Sequence, residues 1–221
     1  MKIDNIEPTK IICIGRNYLE HAKELGTPVP TEPVFFVKTL NSLITGDKPI
    51  IYPRILYEDQ KFNRVDYEVE LAIILSKKCK KIGSKNAFDY IQGYSVFLDI
   101  TARKMQIFDR NKNLPWYRSK NFDTFSVIGP RIVPLNEIED PHDLNIELRI
   151  NNKVKQSSNT RNMIFKIPQL LEYISRFLTL ERDDIVATGT PSGVGPIQPG
   201  DIIVASIEKI GKIRHEVILE E

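Results

Sequence analysis

The chain has 221 residues, a formal net charge of +2 and 27% charged side chains. Charges of both signs are spread along it, which excludes the basic footprint of a nucleic-acid binder and an acidic tail, and no apolar run approaches the roughly 20 residues that cross a bilayer. The length suits one sizeable domain, expected over residues 1–221, with a core of its own.

Short β-branched runs separated by turn residues predict strands over 10–15, 33–38, 69–75, 91–100, 144–155, 184–189 and 201–211. Asn151 and Asn152 interrupt the run at 144–155 with the chemistry of a tight hairpin, because asparagine tolerates positive φ. Three segments read as helix. In NYLEHAKELG, Asn17 is the expected cap, Glu20 stands three residues later as in a capping box, and Gly26 ends the helix. The second, at 101–112, follows a strand directly. The third, at 167–178, has Pro168 in its first turn and a stripe of Leu171, Ile174 and Phe177 or Leu178 that packs on the sheet. The polar stretch at 57–66 is expected to be a mobile loop. The pattern as a whole predicts a β-rich α+β fold with a few short helices.

Cys13 and Cys79 are the only cysteines. They match neither a disulfide framework nor zinc spacing, so a reducing compartment is expected. The first ten residues carry no apolar stretch of a secretion signal, and a cytoplasmic location is expected.

The stretch DYEVELAII at 66–74 raises a chemical question. In a strand, Asp66, Glu68 and Glu70 share a face with Ala72 and Ile74, so the glutamates stand where an apolar interior meets something that tolerates charge. In YSVFLDIT, Asp99 sits among Val96, Phe97, Leu98 and Ile100, an apolar run that reads as a central strand. A buried carboxylate must be paired, protonated or bound to a metal. Arg103 one turn onward, or an N-cap role at the following helix, would answer Asp99 alone. If the Asp99 strand neighbours that of Glu68 and Glu70, three carboxylates converge, and a hard divalent cation relieves their repulsion. Oxygen-only ligation favours Mg²⁺, Mn²⁺ or Ca²⁺ over zinc and leaves positions open for substrate.

His21 and Glu24, spaced i, i+3, project from one helix face as an acid/base dyad in outline, with surface decoration as the plainer reading. His142 and His215 have no such company. Gly189, Gly193 and Gly195 in TGTPSGVGP lack the Lys-Ser/Thr of a phosphate loop and any following helix. Such a loop lets backbone amides and the Thr190 hydroxyl approach an anionic ligand, or simply turns tightly.

Six motifs, GRNYLEHAKE, EPVFFVK, DYEVELAI, GYSVFLDITARKMQ, RSKNFDTFSVIGP and TGTPSGVGPIQPGD, resemble the fumarylacetoacetate hydrolase family in order and spacing over about residues 10–217. The resemblance is to its short single-domain branch, which includes acylpyruvate hydrolases and oxaloacetate tautomerases or decarboxylases. It implies a mixed β-sandwich roll, a homodimer, and a divalent metal (Mg²⁺ or Mn²⁺, with Ca²⁺ the third choice) on Glu68, Glu70 and Asp99. By the same resemblance His21 and Glu24 form the dyad on a helix that orders with ligand, and Lys120 is the charged group at the substrate. Arg103, Gln106 and Thr190 contact its carboxylate or oxo group.

The expected activity is that of a metal-dependent enzyme on a small 2-oxo acid, through an enolate formed when a bond at the neighbouring carbon breaks. Acylpyruvate hydrolysis and oxaloacetate tautomerisation or decarboxylation share that step. An isomerase of 2-hydroxyhepta-2,4-diene-1,7-dioate is the alternative enzyme, and a non-catalytic metal-binding module the alternative of another class.

Overall fold

The computed structural model describes residues 6–24, 26 and 28–221. The β-branched runs become strands, and these form three curled sheets with few helices. The largest has eight strands. Along it, Val34–Lys38 pairs antiparallel with Ile11–Gly15, which runs parallel to Ile185–Ala187. Next come Val69–Leu75, Ile91–Asp99, Ser126–Ile128 and Leu43–Ile44. A five-stranded sheet is built from Lys153–Asn159, Asn145–Ile150, Ile202–Ile207, Gly211–Leu219 and Ile50–Tyr52. A three-stranded sheet joins Gly195–Ile197, Val65–Tyr67 and Thr101–Ala102.

Alternation explains where the core sits. Ile12, Ile14, Val69, Leu71, Ile73, Tyr94, Val96 and Leu98 enter the larger apolar cluster. Their neighbours Ile11, Cys13, Ala72, Ile74 and Phe97 enter a second cluster on the other face of the same sheet. Strands buried on both faces read as near-continuous apolar runs, as these do. Among the described residues no helix is long and apolar enough to cross a membrane.

The Asn151–Asn152 hairpin forms as expected, with φ of 50° and 66° at the two asparagines. The run at 201–211 is shorter than expected, ending at Ile207 and turning into a further strand, Gly211–Leu219, that a charged alternation had hidden. The stretch at 57–66 is not one loop. It holds the end of a short helix, Arg54–Glu58, and the start of Val65–Tyr67.

Helix Leu19–Glu24 lies where the sequence places it, but its expected cap does not form. The fully buried Asn17 instead donates from Nδ2 to the carbonyls of Phe165 (3.1 Å) and Thr188 (2.8 Å), and its Oδ1 accepts from the Phe165 N–H at 2.8 Å. Three hydrogen bonds to two distant backbone segments outcompete the local cap, and Glu20 accepts instead from Ser192. Helix Arg103–Asn111 begins two residues later than expected, because Thr101–Ala102 pairs as a strand with Val65–Tyr67. Helix Ile167–Phe177 buries Leu170, Leu171 and Ile174, whereas Phe177 is 58% exposed.

Candidate active site

Glu68, Glu70 and Asp99 meet at the end of the central strands. The ladder aligns Val69 with Leu98 and Glu70 with Phe97, and the Asp99 N–H donates to the Glu68 carbonyl at 2.9 Å. Strand pairing thus places the three carboxylates together, and one ligand oxygen from each lies within 4.8 Å of the other two.

Residue 68 marks a break between Val65–Tyr67 and Val69–Leu75. An interrupted ladder leaves backbone groups to satisfy. The buried Gln156 accepts from the Val69 N–H at 3.1 Å, and Thr190 donates from its hydroxyl to the Val69 carbonyl at 2.9 Å. Gln156 also donates to Thr190 Oγ1 at 2.8 Å, so that hydroxyl, although it lines the cavity, has its proton committed to the fold.

The cations around the acids are specific. Lys120, from the short helix Tyr117–Lys120, donates to Glu68 Oε2 (3.0 Å), Asp99 Oδ2 (2.5 Å) and Thr101 Oγ1 (2.7 Å). Lys38, 0% exposed, donates to Asp99 Oδ1 at 2.6 Å and to the carbonyls of Phe125 (2.7 Å) and Ile100 (3.1 Å). Asp99 is therefore paired with Lys38 and Lys120, and the local pairing with Arg103 does not form; nor does Asp99 cap the helix, whose N-cap position is Ala102. Arg103 points elsewhere. It donates to Asp66 from Nε at 2.8 Å, to Gln106 from Nη1 at 2.6 Å, and to Glu68. Arg103 and Gln106 do share a helix face, as their spacing predicts.

Electrostatics divides the acids. Burial pushes Glu68 up, but Lys120, Arg103 and His21 outweigh it and hold the carboxyl well below its usual range. Burial, then the charges of Asp99 and Glu68, raise Glu70 well above that range. Among the described residues its one hydrogen bond is the Gly189 N–H to Oε2 at 2.9 Å, and none of them forms a salt bridge with it. Lys120 is drawn down by burial and up by Asp99 and Glu68, with a net rise that keeps it an ammonium. An all-oxygen donor set with one carboxylate lacking a cation fits a hard divalent ion.

His21 and Glu24 line the same cavity of about 670 Å³. His21, 3% exposed, meets Glu24 Oε2 through Nδ1 at 3.0 Å, and Glu24 Oε1 accepts from the Gly193 N–H at 3.0 Å. The glycine-rich loop therefore does turn amides toward carboxyl oxygens, but these are the protein's own, on Glu70 and Glu24. At Gly189 this requires glycine: φ is +93°, and a β carbon would lie 2.8 Å from that of Asn17.

The cavity lining includes all nine residues singled out in the sequence: His21, Glu24, Glu68, Glu70, Asp99, Arg103, Gln106, Lys120 and Thr190. Lys38, Asp66 and Gln156 escaped sequence reading. Asp66 carried a faint signal, sharing a strand face with the glutamates, while Lys38 reads as an ordinary strand-end lysine.

Fold and cavity together define a β-rich enzyme scaffold with an oxygen-only cluster on its central strands. Comparison with known proteins makes this particular. Residues 10–218 match the family described as fumarylacetoacetate (FAA) hydrolase C-terminal. The mitochondrial oxaloacetate decarboxylase of Dictyostelium discoideum is 43% identical over 214 residues, covering 96% of this chain and 95% of that protein. The mitochondrial oxaloacetate tautomerase of Caenorhabditis elegans is 45% identical over 195 residues, 88% of each chain. The crystal structure of fumarylpyruvate hydrolase from Pseudomonas aeruginosa in complex with Mn²⁺ and pyruvate superposes with a TM-score of 0.88 at 30% identity, covering 97% of this chain and 91% of the other. The chain belongs to the fumarylacetoacetate hydrolase family and is an enzyme of it.

Proposed function

We propose that the protein is a divalent-metal-dependent enzyme acting on a 2-oxo acid next to its oxo carbon, by tautomerisation or decarboxylation of the oxaloacetate type or by hydrolysis of an acylpyruvate. One observation carries the reading. Glu68, Glu70 and Asp99 converge within 4.8 Å in a cavity that also holds Lys120 and the His21–Glu24 pair. The names of the relatives, which act on oxaloacetate or fumarylpyruvate, and the Mn²⁺ in one of them agree with it.

In this reading the three carboxylates hold the cation, which when bound supplies a Lewis acid that polarises the 2-oxo group. The Lys120 ammonium, fixed by Glu68, Asp99 and Thr101, faces the oxygen on which negative charge develops. Glu24 orients the His21 ring through Nδ1, leaving Nε2 to take or give a proton at the carbon beside the oxo group, or at water in a hydrolysis. Phe36 and Trp116 add aromatic surface to the cavity lining. A homodimer, implied by family resemblance, is part of the same proposal and is read out by light scattering.

The test separates metal from chemistry. Glu70→Gln is expected to abolish Mn²⁺ binding in calorimetry together with turnover of oxaloacetate and acetylpyruvate. His21→Ala is expected to keep Mn²⁺ affinity within a fewfold while lowering turnover by about 10²-fold or more. Undiminished turnover in Glu70→Gln would overturn the reading.

A further inference from the structure

We propose that Arg16 forms a second anion subsite in this cavity, which receives the far carboxylate of a dicarboxylic 2-oxo acid. The inference rests on the function proposed above and extends it to the other end of the substrate.

Charge pairing within the cavity is the starting point. Five Arg or Lys side chains and five carboxylates line it. Arg103 is taken by Asp66 and Glu68, Arg64 by Asp66, and Lys120 by Glu68 and Asp99. Arg16 and Arg110 make no ion pair or side-chain hydrogen bond among the described residues. The Nε of Arg16 is buried without a partner. Buried donors almost always have an acceptor, and Arg16, which lines the cavity, has none of the protein's own among the described residues.

The backbone aims this side chain. Arg16 has φ of +57°, the left-handed region that residues with a β carbon avoid and that clusters at functional sites. Its neighbours hold it there. Gly15 packs so closely on Trp116 that a β carbon would stand 3.3 Å from the indole, and Asn17 is tied to Phe165 and Thr188. Arg16 therefore projects from a fixed corner of the cavity wall, with the planar fork that matches a carboxylate. Arg110 lies one turn beyond Gln106 on the cavity-lining face of helix Arg103–Asn111 and adds a second, exposed cation at the rim.

Overall charge points the same way. With equal numbers of acids and bases lining the cavity, the divalent ion proposed for the triad leaves the site positive, complementary to a dianion. A monocarboxylic 2-oxo acid leaves Arg16 without an acceptor.

The experiment compares affinities by calorimetry in the Mn²⁺-loaded protein. Pyruvate is the monocarboxylate probe; 3,3-difluoro-oxaloacetate, which has no enolisable hydrogen, and 2-oxoglutarate are the dicarboxylates. The wild type is expected to bind the better dicarboxylate about 10- to 100-fold more tightly than pyruvate. Arg16→Gln is expected to reduce that ratio to within about threefold by weakening the dicarboxylate alone, with Arg16→Lys intermediate. Arg110→Gln, on an exposed helix face, is expected to lower the ratio by a smaller factor and serves if the Arg16 variants do not fold.

A wild type without the preference, or Arg16 variants that keep it or weaken pyruvate equally, would overturn the subsite and leave the proposed reaction standing. An Arg16-dependent preference in a protein that turns over no 2-oxo acid would support the subsite while the proposed reaction falls.

Discussion

Lys38 shows how much one buried charge can depend on its surroundings. Its ammonium has three donors, and the carboxylate of Asp99 with the carbonyls of Ile100 and Phe125 uses all three. Asp99 Oδ1 is thereby engaged by Lys38, and Oδ2 by Lys120. Removing one partner of a buried pair leaves the other charge uncompensated, at a cost of about 3–5 kcal/mol. Lys38→Met is therefore expected to lower unfolding stability by roughly that amount in urea titration, and Lys38→Met/Asp99→Asn to recover part of it. Glu70 is the converse case, a buried acid with no ion pair among the described residues, beside Asp99 and Glu68 and hydrogen-bonded by a backbone amide. Nothing in the order of residues around position 38 distinguishes Lys38 from a solvated strand end, because its partners lie 61, 62 and 87 residues away.

Among the elements, the strand break at Glu68 and the helix Ile167–Phe177 carry most consequence. The break lets Asp66 join the three-stranded sheet and pair with Arg103, while Glu70 continues on the central sheet. Alternation within VELAII was readable from sequence. The interruption was not, since it is completed by Gln156 and Thr190 from remote segments.

The helix start depends on a histidine. The Ile167 N–H donates to His142 Nε2 at 3.1 Å, which requires that nitrogen to be unprotonated. Burial, opposed by Asp140 and assisted by Lys166, lowers the His142 pKa, and burial likewise lowers that of His215, which meets the Lys48 carbonyl through Nδ1. Both rings are thus neutral in the fold where the unfolded chain takes up protons. Stability is expected to be full above the ordinary histidine value near 6.5 and to fall as pH drops below it. Urea midpoints at pH 7.5 and 5.5 should show the decrease, and His142→Gln, whose carbonyl still accepts from Ile167, should reduce it.

At the scale of the molecule, the acidic cluster couples ligand binding to folding. The three carboxylates come from strand Val69–Leu75, the break just before it and strand Ile91–Asp99, which are together only in the folded chain, so a cation bound there stabilises the native state by mass action. Mn²⁺ at about 100 times its dissociation constant is expected to add about 2.7 kcal/mol. For a chain of this size that corresponds to roughly 5–10 °C in melting temperature. A chelator should reverse the shift, and Glu70→Gln should show none. A wild-type melting temperature independent of Mn²⁺, Mg²⁺ and Ca²⁺ would remove the metal from the proposal.

The sequence by itself determined the strand-rich architecture, the Asn151–Asn152 turn, the i, i+3 pairs His21–Glu24 and Arg103–Gln106, and the presence of acids in strands too apolar to be solvated. Those features depend on backbone conformational preference and on side-chain periodicity within a few residues. Tertiary structure alone decided that Asn17 ties segments together instead of capping a helix, that Lys38 and Lys120 hold Asp99 in place of Arg103, and that Arg16 lines the cavity without a partner among the described residues. Charge pairing is settled by which groups reach one another through a low-dielectric interior, and that distance is fixed by sheet register between residues far apart in the chain.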